Sequence, residues 1–160
     1  MEKAKVYFTD FRVPVGRNIM QKLRALCLAA GIKKIDMDGK FVAIKMHFGE
    51  LGNMAYLRPQ YAKVVADLVK EQGGMPFLTD CNTLYPGSRK HALEHMDCAN
   101  LNGFNTTTTG CQIIIGDGLR GTDDVEEMSN ETLSTARTVK LPFTRKCCFK
   151  FSTRRIGAAL

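Results

Sequence analysis

Short apolar runs separated by stretches with helical spacing set the limits on how this chain folds. Residues 40–48 (KFVAIKMHF), 75–80 (MPFLTD) and 111–115 (CQIII) are rich in β-branched and aromatic residues and read as strands. Residues 5–11 (KVYFTDF) have the same character and make a further, first strand. Helical patterns lie between them. Asn18 suits an N-cap, with Ile19, Leu23, Leu26, Cys27 and Ala30 on one face and Gly31 near the end. Pro59 suits the first turn of a second helix, where Tyr61, Val64, Val65 and Leu68 form a stripe and Gly73-Gly74 a stop. Ser88 is placed to cap a third helix running toward Gly103. Strands separated by helices need crossover connections, and these imply parallel pairing. The expected fold is α/β, a mostly parallel sheet with helices on both faces, followed by an irregular C-terminal tail.

Charge divides the chain in two. Residues 1–131 carry 16 basic and 16 acidic side chains, so the net +7 comes from Arg137, Lys140, Arg145, Lys146, Lys150, Arg154 and Arg155. We expect an α/β domain over 1–126 and an irregular basic tail over 127–160, disordered or translated out of frame. Phe143, Phe149 and Phe151 lie within the basic run, and basic residues with aromatics can bind nucleic acid. No nucleic-acid fold motif accompanies them, so that reading is disfavoured. No apolar run approaches the ~20 residues of a membrane span, and no secretory leader is seen. Six cysteines, at 27, 81, 98, 111, 147 and 148, form no C-x-x-C pair. They fit free thiols in a reducing, cytoplasmic compartment.

Ligands of open α/β sheets gather beyond the carboxyl ends of the strands. Here those ends are polar: Asp10, then His47 with Gly49-Glu50, then Asp80-Cys81-Asn82-Thr83, then Gly116-Asp117-Gly118. His47, Glu50 and Asp80 are the candidates for acid–base chemistry. Asp10, Asn82, Thr83 and Asp117 are candidate ligand contacts, and Arg58 and Arg89 suit a small anionic group. His47, Cys81 and Cys111 are the candidate metal ligands. The same residue types also serve as turns and caps.

Two further patterns are weaker. Residues 116–121 (GDGLRG) match G-x-G-x-x-G, but no helical pattern opens after them and no acid lies at the required offset, so a glycine turn is expected. Residues 91–95 (HALEH) match the H-x-x-E-H of inverted zinc peptidases. His91, His95 and Cys98 fall on one helical stripe, which we expect to be a partly exposed face.

The segments KVYFTDF (5–11), KFVAIKMHFGELGN (40–53), LRP (57–59), PFLTDCNTLYPGSR (76–89), GC (110–111) and IIIGDGLRG (113–121) resemble the N-terminal part of a prokaryotic family. This is the uncharacterised iron–sulfur-centre, ferredoxin-linked family grouped as domain of unknown function 362. The resemblance implies an α/β fold and a link to iron–sulfur electron transfer. It carries over His47, Glu50, Asp80, Cys81, Asn82, Arg89 and Cys111 as site candidates. It also implies an iron–sulfur cluster, whose C-x-x-C-x-x-C-x-x-x-C-P motif is absent from this chain. The expected function is an electron-transfer-associated protein with a ligand or metal pocket at the strand ends. Its expected partners are a small anionic ligand or a redox protein, and a second copy pairing at an open sheet edge. The alternatives are an acid–base or metal-assisted enzyme using that pocket, and nucleic-acid binding through the tail.

Overall fold

A computed structural model of the chain describes residues 5–128, 135–139 and 148–150. The sheet grows from two crossover units. β1 (Phe41–Lys45) leads through α2 (Pro59–Lys70) to β2 (Met75–Asp80). β2 leads through α3 (Ala92–Leu101) and a single turn, α4 (Thr106–Thr109), to β3 (Gln112–Ile115). Both strand pairs are parallel, with Phe41 level with Met75 and Phe77 level with Gln112. α1 (Ile19–Ala29) precedes this series. The α/β parallel-sheet fold expected from the alternation is the one that forms.

The helices begin where the local chemistry favours it. Asn18 caps α1 with a reciprocal pair, its side chain accepting from Gln21 N–H while Gln21 accepts from Asn18 N–H, both at 2.9 Å. Pro59 occupies the first turn of α2, where its missing N–H costs nothing. Alternation along β1 directs Val42 and Ile44, then Met46 and Phe48, into one core with Leu68, Val69, Leu78, Ala99 and Phe104. The described helices that reach the core do so on this face, α1 through Cys27 and Leu28 packed at its margin. α1 is tied to α2 by the two-pronged Arg24–Glu71 ion pair at 2.8 and 2.7 Å.

Residues 5–11 do not form the first strand. They run as an extended arm with Val6 89% and Phe8 78% exposed. Strand propensity needs a ladder partner, and the edge beside β1 is taken by β6 (Cys148–Lys150), giving the order β3-β2-β1-β6. Asp10 therefore ends no strand. Lys22 holds the arm against α1, donating to the Asp10 carboxylate at 2.7 Å and to the carbonyls of Asp10 and Arg12.

Beyond β3, β4 (Asp124–Met128) and β5 (Thr135–Val139) pair as an antiparallel hairpin. The boundary drawn at 126 falls within β4. The basic stretches 140–147 and 151–160, with their expected irregular or out-of-frame character, lie outside the described residues. Among the described residues, no helix is long and apolar enough to cross a membrane.

Leu68 is 1% exposed in the centre of the core. Leu68→Ala is expected to lower the unfolding free energy by about 2–5 kcal/mol. In the same urea titration, Leu93→Ala, at an exposed site of α3, should change it by no more than about 0.5 kcal/mol.

Candidate ligand site at the strand ends

The ends of β1 and β2 are held by a buried cation. Arg89 is 2% exposed, an uncommon position for a charge. Its Nε donates to Glu50 Oε2 at 2.9 Å, and a terminal nitrogen reaches the same oxygen at 2.8 Å. Another donates to Asp80 Oδ2 at 3.4 Å, and Tyr85 Oη accepts at 2.6 Å. Glu50 also accepts from the backbone N–H and hydroxyl of Ser88. The opposite oxygen of Asp80 accepts from Lys45 Nζ and from Cys81 N–H. Lys45, Asp80, Arg89 and Glu50 thus form one neutral chain of paired charges linking both strand ends and the 81–91 loop.

A second chain of polar contacts starts at the same carboxylate. His95, fully buried in α3, sets Nε2 3.6 Å from Asp80 Oδ2, where no hydrogen bond forms, and Nδ1 3.4 Å from Asn82 Oδ1. Its ring packs edge-on to Phe48. Asn82 donates through its backbone to Asp117 at 3.0 Å and through its side chain to Asp117 and the Gly118 carbonyl. Asp117 is therefore buried and bound, joining the end of β3 to that of β2. Residues 116–121 make the expected glycine turn: Gly118 and Gly121 have φ of +75° and +73°, and β4 follows rather than a helix.

These contacts lower the two carboxyls and His47, while burial raises the thiols. For Asp80, burial is the largest influence and acts upward. The neighbouring His95, the Lys45 ammonium and the Cys81 N–H together outweigh it and hold the carboxyl below its ordinary 3.8. Glu50 is likewise lowered, burial being outweighed by Ser88 and Arg89. His47 is lowered from 6.5 by partial loss of water around its ring and then by Arg89. Burial raises Cys81, with the Asp117 carboxylate adding to it, and burial also raises Cys111.

The structure gathers His47, Glu50, Asp80, Cys81, Asn82, Arg89 and Asp117 at one end of the sheet. Other candidates stand apart. Asp10 is on the arm with Lys22. Arg58 precedes α2 and lies over the Tyr56 ring at 4.9 Å. Thr83 closes its own loop, donating through N–H to the Arg89 carbonyl at 2.9 Å. Arg89 itself has its donors committed to protein acceptors, so it positions the site rather than gripping an anion. Cys111 precedes β3 at the opposite end of the sheet. Asp80 is level with Ile115, so Cys111 lies roughly 16 Å along the strands from Cys81. His47, Cys81 and Cys111 cannot share a metal at that separation. Among the described residues no group of three or more His, Cys, Asp or Glu is arranged to hold one.

The third helix differs from expectation in two ways. His91, not Ser88, is its cap, Nδ1 accepting from Glu94 N–H at 3.3 Å, because Ser88 is engaged by Glu50. His95 and Cys98 are buried rather than partly exposed, while His91 lies at the surface with Nε2 3.3 Å from Glu94 Oε1, so the two histidines of the H-x-x-E-H pattern do not converge. His95 joins the strand-end residues from a stripe that the sequence placed at a partly exposed face. Its signal is the i, i+3, i+4 set His95, Cys98 and Ala99, which marks an inward helical stripe.

The model of the domain of unknown function DUF362 matches residues 42–146, well over half of the chain. The chain belongs to that family. The match covers both crossover units and continues past residue 126. No curated protein matches the chain, and no solved structure does.

Two outcomes follow from this geometry. Arg89→Met strands two carboxylates in a largely dry setting and should cost about 3–5 kcal/mol of stability, measured by chemical denaturation. Acid should also destabilise the fold. Asp80, Glu50 and His47 all have lowered values, so the unfolded chain binds more protons as pH falls. Stability is lost first below about 6.5 through His47 and then below about 4 through the carboxylates. Urea midpoints should fall from pH 7 to 5 to 3, and Asp80→Asn should flatten the lower limb. A rise in midpoint with acid would contradict the assignment.

Proposed function

We propose that this chain is a binding domain associated with iron–sulfur electron transfer, which holds a small polar ligand above the carboxyl ends of β1 and β2. The observation that carries the reading is the buried Arg89 bridging Asp80 and Glu50. A buried ion network contributes little net stability relative to apolar packing, so its use here is to fix loop geometry. Loops held above a rigid sheet are where binding residues concentrate.

The redox link rests on the resemblance of residues 40–53 and 76–89 to ferredoxin-linked proteins. A four-iron cluster requires four thiolates around one cubane. Cys27 in α1, Cys81 after β2, Cys98 in α3 and Cys111 before β3 do not fit that requirement. In this reading the cluster belongs to a redox partner, and the domain supplies the ligand. Among the described residues Cys27, Cys81, Cys98 and Cys111 are free thiols, in accord with a reducing, cytoplasmic setting.

The test has two parts. Anaerobically purified protein should contain no stoichiometric iron and show no charge-transfer absorption; a coloured iron protein would overturn the placement of the cluster. A panel of carboxylates, phosphates, sugars, amino acids and amines is then followed by thermal shift. At least one class should raise Tm in the wild type and fail to do so in His47→Ala. The binding reading is lost if no class does, or if every effect survives in the variant. Turnover of a bound compound that vanishes in His47→Ala would instead favour an acid–base enzyme at the same place.

A further inference from the structure

His47 lies in the extended continuation of β1, where Met46 N–H still bonds the Thr79 carbonyl at 3.1 Å. Met46 and Phe48 are buried and His47 between them is exposed, so the alternation of the strand persists. Lys45 and His47 therefore project from the same side of the sheet, about 7 Å apart along the strand.

The protonation of His47 is fixed by a neighbour. Gly49 N–H, which can only donate, reaches His47 Nδ1 at 2.9 Å. Nδ1 must accept, so the ring is neutral with its proton on Nε2. Gly49 holds this contact with φ of +88°, and a Cβ there would lie 2.5 Å from Asn102 Nδ2 and 2.9 Å from the Tyr56 ring. A metal at Nε2 would require the proton to move to Nδ1, where it would face the Gly49 N–H. Metal-bound histidines show the reverse arrangement, donating their second nitrogen to an acceptor. Lys45, meanwhile, gives one of its three N–H groups to Asp80, and its side chain remains 33% exposed.

The charged groups around this pair are Lys45 and Arg89, opposed by Asp80 and Glu50. Both carboxylates are engaged by donors from the protein, and Asp117 nearby accepts from Asn82. The acidic groups are thus satisfied internally, while N–H donors remain directed outward.

We infer that Lys45 and His47 form a two-donor site for a small oxyanion, a carboxylate or phosphate, received by the Lys45 ammonium and the neutral His47 Nε2–H. Each donor would meet an oxygen of such a group at about 2.9 Å. This inference deepens the strand-end reading and rests on it. The roles follow directly: His47 is a donor to ligand oxygen rather than a metal ligand, and Lys45 supplies the charge.

The test uses the full chain labelled with ¹⁵N-histidine, the His47 signals being assigned by their loss in His47→Gln. In the free protein, Nδ1 should show the unprotonated resonance and Nε2 the protonated one. Inorganic phosphate and acetate, titrated separately, should shift Nε2 saturably with at least one of them. Phosphate alone would indicate a phosphoryl ligand, acetate alone a carboxylate. By calorimetry, Lys45→Met and His47→Leu should each weaken that binding about tenfold or more, whereas His47→Gln, which keeps an N–H donor, should retain most of it. Zinc ions should leave the His47 signals unmoved. A proton on Nδ1, a zinc-induced shift at His47, or no saturable response to either anion would overturn the inference. A His47-dependent ligand lacking an anionic oxygen would overturn it too, yet leave the strand-end reading standing.

Discussion

A guanidinium sealed between two carboxylates fixes the loops at the carboxyl ends of the strands. Arg89 comes from the loop after β2, Glu50 from the loop after β1, and Asp80 from β2 itself. Removing an arginine from water is costly and is offset only when its donors are met by well-placed acceptors. Glu50, Asp80 and Tyr85 meet them, and each lies where its own strand end or loop dictates. The pairing therefore imposes one relative placement on segments that β-ladder bonds no longer control. Through Asp80 the same constraint reaches Lys45 and His95, and through Asn82 it reaches the turn after β3.

Much of the scaffold was legible because local signals and tertiary demands agree. β2 forms over the run 75–80, and α2 starts at Pro59, since proline fixes the first turn and Gly73 takes a left-handed conformation after the end. Residues 5–11 show the limit of such reading. Their β-branched and aromatic content marks a segment able to be a strand, but pairing depends on an edge being free. The edge at β1 is occupied by Cys148–Lys150, from the far end of the chain. Ser88 shows a related limit. A serine before a helical pattern is a sound cap, yet its hydroxyl is captured by Glu50, and His91 caps the helix three residues later.

The candidate site was legible in position more than in roles. Parallel strands place their carboxyl ends together, so His47, Asp80 and Asp117 could be grouped before any distance was known. Cys111 opens the run read as the last strand, so parallel pairing already puts it at the far end from them, and the register of the ladder sets how far away it lies. Residue type does not tell whether Arg89 grips a ligand or holds the protein. That depends on how many of its donors the fold itself consumes. His95 was grouped with His91 on a partly exposed stripe, whereas it sits with Cys98 and Ala99 on the inward stripe of α3.

The balance of hydrogen-bond donors and acceptors says more about the ligand than the identity of any one side chain. At the strand ends the carboxylates, which would be the natural partners of a cation, are bound by Lys45, Arg89, Ser88, Asn82 and backbone N–H groups. Among the described residues, the cysteines that could have recruited a soft metal are dispersed over both ends of the sheet, and burial raises the pKa of Cys81 and of Cys111. The Gly49 N–H then removes the acceptor nitrogen from His47 and leaves its donor. Each step subtracts acceptors from the surface that a ligand would meet. What remains there is donor-rich but near-neutral, a combination that favours an oxygen acceptor held by directed hydrogen bonds over a cation held by charge.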